Sequence, residues 1–111
     1  MTEKLLKLLY DIKLAIEDIE SYFKTETKSF DNYKRNSLLR RAIERNLEII
    51  GEAFNRILKE DPTFLIENAK KIIGLRNQII HGYDSVSDEN IWSIVTVYLP
   101  KLKTDIESLI K

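Results

Sequence analysis

The chain has 111 residues, 43% hydrophobic and 32% charged, which is the size and balance of one folded domain with a modest core. Lysine plus arginine equals aspartate plus glutamate at 18 each, so no global positive field marks a nucleic-acid binder, and any such contact must come from a local patch. Cysteine is absent and histidine occurs once, which excludes disulfides and thiolate catalysis and argues against a zinc site within one chain.

No run approaches the roughly 18 apolar residues of a membrane span. The first residues, Met1 to Lys7, are too charged for the apolar region of a signal peptide. A cytoplasmic protein of one domain, residues 1–111, with no metal and no cofactor is expected.

From Thr2 to about Lys24, Leu5, Leu8, Leu9, Ile12, Ile16, Ile19 and Phe23 recur every three or four positions, the pattern of an amphipathic helix. The polar stretch from Thr25 to Asn32 ends it. A longer helix is predicted from about Asn32 to Leu58, with Leu39, Ala42, Ile43, Leu47, Ile50, Phe54 and Ile57 as its core stripe. Its other side carries Arg41, Arg45, Glu48, Glu52 and Asn55 at three- and four-residue spacing. That row reads first as a solvated face of mutually paired charges. Gly51 stands in the helix interior, where it costs about 1 kcal/mol against alanine. Either a closely approaching helix backbone or a functional groove would explain it.

Asp61-Pro62 predicts the start of a third helical region, with aspartate as N-cap and proline at the first helical position. Phe64, Leu65, Ile66, Ala69, Ile72, Ile73, Leu75, Ile79 and Ile80 carry it on, with a possible change of direction at Gly74. Gly82 to Ser85 reads as a loop. Ser87-Asp88-Glu89 starts the last helix, with a capping serine and acids near the positive end of its dipole. Ile91, Ile94, Val95, Tyr98, Leu99, Leu102, Ile106 and Leu109 form its stripe, and Pro100 should kink it. The β-branched run Ile94 to Val97 would suit a strand, but no partner strand exists in the sequence. The expected fold is all-α, an up-and-down bundle of four to five helices.

The segment Gly74 to Tyr83 holds the only histidine, with Arg76 five residues before it and Tyr83 two after. It reads as the end of a buried helix. On a helix, Arg76 and His81 lie about 140° apart around the axis, while Asn77 and His81 share a face. A histidine in a last helical turn often only bonds orphan carbonyls, and an arginine beside it often pairs with a neighbouring carboxylate. The functional reading is chemistry on a phosphate. A guanidinium binds phosphate oxygens through two parallel bonds and can stabilise a pentavalent transition state. An imidazole can take a proton from a ribose 2′-hydroxyl or give one to a leaving 5′-oxygen. One histidine per chain cannot do both at once, so a homodimer bringing two His81 side chains to one interface would complete the pair.

Arg76-Asn77-x-x-x-His81 matches the Arg-x(4–6)-His motif of the HEPN superfamily of RNA-cleaving helical domains, and His81-Gly82-Tyr83 extends it to the form of the HepT-like toxins. Arg45 to Ala53 resembles the long-helix signature of that family, and Trp92 to Leu102 its closing helix. The resemblance covers nearly the whole chain. It implies a dimeric HEPN-like ribonuclease with Arg76 and His81 as catalytic pairs at the interface, and RNA as substrate. It also implies a partner antitoxin, a minimal nucleotidyltransferase of the MntA type, that transfers AMP onto Tyr83. Gly82 departs from the family pattern, where many relatives have an acidic residue. Asn77, Arg45, Glu48 and Glu52 are the expected supporting residues, with Arg41 and Arg45 lining the RNA approach and Glu48 or Glu52 orienting an arginine. The alternatives are a non-catalytic module that binds a nucleotide or a nucleotidyltransferase, and a plain helical dimerisation domain.

Overall fold

The computed structural model describes residues 1–64, 66, 69–81 and 87–110, and all of its regular secondary structure is helical. Helix α1 (Glu3–Tyr22) starts where the Thr2 hydroxyl accepts the Leu5 amide at 3.1 Å, a side-chain cap that satisfies one otherwise orphaned donor. It buries the expected stripe from Leu5 to Ile19, with Ala15 added. The continuous helix expected over 32–58 is two helices instead. A short α2 (Phe30–Arg35), capped by Ser29, is followed by α3 (Ser37–Glu60). Asn36 makes the break: its backbone is extended, its amide donates to the Asn32 carbonyl, and its side chain accepts the Leu39 amide at 3.1 Å. An asparagine that can cap a new helix competes with continuation of the old one.

The fold needs this break because α2 carries Tyr33 into a cluster around Trp92, whose ring lies 5.6 Å from Tyr33 and 5.8 Å from Phe23. Along α3, Leu39, Ile43, Leu47, Ile50, Phe54 and Ile57 are buried as predicted, whereas Ala42 is only half-buried. Buried Asn46 donates to the Tyr22 hydroxyl at 2.7 Å and to the Ala42 carbonyl at 3.1 Å, so its amide does not stand unpaired in the core.

Asp61 does not open a helix. Its carboxylate accepts from the Thr63 amide and hydroxyl, and residues 62–63 form one turn that does not propagate. A single capped turn fixes several residues for one hydrogen bond and needs packing to extend. Helix α4 (Ala69–Ile80) begins later, runs unbroken through Gly74, and buries Ala69, Ile72 and Leu75. It packs chiefly on α3, so the segment is not a wholly buried helix: Ile80 and His81 are exposed. Gly82 and Tyr83, including the expected modification site, lie outside the described residues.

After the Ser87 cap comes α5 (Asp88–Ser93), then a π-helical turn over Ile94–Tyr98, then α6 (Leu99–Ile110). The β-branched run is therefore a widened helical turn and not a strand. It ends just before Pro100, as the ring and missing amide of proline disfavour regular bonding to the preceding turn. Helix α1 packs on α3 and α6, and α2 on α3 and α5. The molecule measures 41 × 30 × 18 Å, its least dimension about two helix diameters. Among the described residues no helix is long and apolar enough to cross a membrane.

Candidate active site

Gly51 is where α3 and α4 come together. A Cβ there would collide with the Arg76 Cβ, lie 2.9 Å from its Cγ and 3.2 Å from the Ile72 carbonyl oxygen. The missing side chain therefore lets the α4 backbone settle onto α3 and lays the Arg76 stem across the glycine. Of the two sequence explanations for Gly51, the close approach of another helix is the one observed; the neighbouring Glu52 and the Arg76 packed against the glycine both line a cleft.

The Arg76 guanidinium reaches back along α3. Its Nη2 donates to Glu52 Oε2 at 2.5 Å and its Nη1 to Asn77 Oδ1 at 2.7 Å. Among the described residues its buried Nε has no hydrogen-bond partner. The other oxygen of Glu52 accepts from Arg56 Nε at 3.1 Å, and Arg45 pairs with Glu48 at 3.2 Å. The charged row on α3 thus has the mutual pairs expected of a solvated face, but Glu52 also turns toward α4 and fixes an arginine.

These side chains line one open cleft of about 350 Å³, together with Leu8, Asp11, Ile49, Ala53 and Ile80. Arg45, Glu48, Glu52 and Arg76 were singled out from the sequence and are brought together here. Arg41, further along α3, is exposed and is not among the residues lining the cleft. Asp11 and Leu8 from α1, and Arg56 from α3, were missed. Arg56 had a legible signal, four residues beyond Glu52 on the same helix face; the α1 residues had none, because the pairing of α1 with α3 is not written in either helix.

His81 comes directly after the last residue of α4, and its amide still donates to the Asn77 carbonyl at 3.1 Å. It therefore keeps helical register with Arg76. The arginine leans onto α3 while the histidine is exposed, as the difference of about 140° in helical direction requires. Asn77 is engaged by Arg76 through its side chain and by His81 through its backbone. Among the described residues no group of three or more acidic or histidine side chains could hold a metal ion.

The sequence profile of the family described as Ribonuclease HepT-like matches residues 12–109. The chain belongs to the HepT-like family. The match runs from within α1 to within α6 and takes in every cleft-lining residue except Leu8 and Asp11. Among its relatives, a Methanocaldococcus jannaschii protein named as a candidate RNase is 35% identical over 89% of this chain and 90% of its own length. A second from that organism is 30% identical over 93% and 84%. A Caldanaerobacter subterraneus protein, likewise named as a candidate RNase, is 32% identical over 75% of each chain. No solved structure gives a significant match.

Proposed function

We propose that this HepT-like chain is the toxin of a toxin–antitoxin pair, a cytoplasmic, metal-independent endoribonuclease that works as a homodimer with Arg76 and His81 at the interface. The observation that carries this reading is the held guanidinium. Arg76 is half-buried beside an open cleft, aimed by Glu52 and Asn77. An arginine oriented in advance costs little further ordering when it meets the charge that grows on a phosphate in the transition state.

In this reading one His81 imidazole removes the 2′-hydroxyl proton. The 2′-oxygen then bonds to phosphorus, and the bond from phosphorus to the 5′-oxygen breaks. The partner's His81, in its imidazolium form, gives that oxygen a proton, and a 2′,3′-cyclic phosphate remains. Dimerisation through the α4 side is supported by exposure at its end: among the described residues helix α4 packs chiefly on α3, and Ile80 is 48% exposed next to His81. AMP added to Tyr83 by a minimal nucleotidyltransferase antitoxin would set a phosphate and an adenine two residues from His81, where charge and volume both oppose RNA.

The test is cleavage of total tRNA and of a long mRNA by purified protein in excess EDTA, after intact mass has shown Tyr83 to be unmodified. Cleavage by the wild type, lost in His81→Ala and Arg76→Ala variants that remain folded, is expected. No cleavage by unmodified dimeric protein would replace this reading with the module that binds a nucleotide or a nucleotidyltransferase without cutting RNA.

A further inference from the structure

Arg56 lines the cleft but has no part in the cleavage chemistry. It sits one turn beyond Glu52, and the single Glu52 carboxylate holds two guanidiniums, Arg76 on one oxygen and Arg56 on the other. The two cations are not equivalent. The Arg76 side chain is 23% exposed and is held by Asn77 as well, whereas the Arg56 side chain is 63% exposed. An exposed pair four residues apart on a helix is weak and easily exchanged for another anion.

Charge also favours an incoming anion at this point. Arg45 is matched by Glu48, and Asp11 is taken by Lys7 at 2.9 Å. Among the described residues Glu52 faces two arginines, so two guanidiniums meet a single carboxylate at the part of the cleft nearest Arg76. Two guanidiniums that share one carboxylate lie close enough for a phosphodiester chain to meet both.

We propose that Arg56 is a substrate-binding residue for single-stranded RNA. It takes the phosphate next to the one bound by Arg76, leaving Glu52 for that phosphate while Glu52 keeps Arg76 in place. This rests on the ribonuclease reading and adds a subsite to it. The experiment compares wild type, Arg56→Ala and Arg56→Lys on a short single-stranded RNA. It measures kcat and KM, binding of an uncleavable 2′-deoxy analogue across a salt series, and mass by sedimentation.

The expected result for Arg56→Ala is a KM raised roughly three- to tenfold with kcat within twofold, and most of that loss recovered by lysine. The slope of log affinity against log salt should fall by about 0.7, the value for one single-strand phosphate contact. A residue that merely braces Glu52 would leave this slope unchanged. Wild-type cleavage with unaltered KM and slope in Arg56→Ala overturns the subsite alone. So does a loss that coincides with dissociation to monomer, which would make Arg56 an interface residue. Wild type that neither binds nor cuts RNA overturns the ribonuclease reading and the subsite with it.

Discussion

Replacing Gly51 by alanine tests the joint between the two helices that carry the site. By helix propensity alone, alanine in a helix interior should add about 1 kcal/mol. Here its Cβ would collide with the Arg76 Cβ and stand 2.9 Å from Cγ and 3.2 Å from a backbone oxygen of Ile72. One of those atoms belongs to a helix backbone, so rotating a side chain cannot relieve the clash. Overpacking of this kind costs about 1–3 kcal/mol, so the net effect is destabilisation by up to about 2 kcal/mol.

Because α4 packs chiefly on α3, the strain is relieved by moving α4 outward, and Arg76 moves with it. A displacement near 1 Å at a positioning group costs about 100-fold in rate. Gly74→Ala is the internal control: the same change on the next helix, at an exposed position with nothing within 4 Å of the added carbon. Urea unfolding should show Gly51→Ala with a lowered midpoint at unchanged slope and Gly74→Ala with a raised one. RNA cleavage should fall at least tenfold in the first. If Gly51→Ala gains stability by the same increment as Gly74→Ala, the close approach of α4 to α3 is refuted, and so is the account of how Arg76 is held.

Two further predictions concern the aromatic junction far from the cleft. Burial, as the largest cause, pushes the Glu44 carboxyl above the usual carboxylate range; Arg40 opposes this, and Asp88 and Glu48 add to it. A raised folded-state value gives stability that is fully present below the unfolded carboxylate pKa and is lost as pH rises through the folded one. Glu44→Gln should therefore be more stable than wild type at pH 7, with the difference closing toward pH 4 in urea melts; a constant difference would refute this. Tyr33 is fully buried, and among the described residues its hydroxyl has no hydrogen-bond partner. Tyr33→Phe should raise stability by about 1 kcal/mol, since a buried unpaired hydroxyl carries its desolvation cost unrelieved. A lowered melting point would show instead that the hydroxyl is paired in solution.

The helical periodicity was legible because a buried stripe must recur at the helical repeat, and the α1 and α3 stripes are buried nearly as read. The breaks were less legible. Asn36 and Asp61 are both capping residues at plausible boundaries, yet one divides a helix and the other closes a single turn. The packing available to the next residues makes the difference. The chain from Ser37 onward finds α1 to pack against, while residues 62–63 form a turn that extends no further. The irregularity at Pro100 was expected as a kink and takes the form of a π turn before it, because the helix must continue to keep α6 against α1.

The sequence by itself determined the helical class, the size of the core, the family blocks, and the fact that Arg76 and His81 point in different directions from one helix. Those properties stem from residue identity and a fixed angle per residue. Only the tertiary structure decided that Glu52 and not Glu48 holds Arg76, that Arg56 shares the same carboxylate, and that α1 supplies a wall of the cleft. Each of these depends on the depth and register at which α4 lies on α3 and α1 beside them. That register is set at Gly51 by an absent side chain, whose meaning appears only when the second helix is in place.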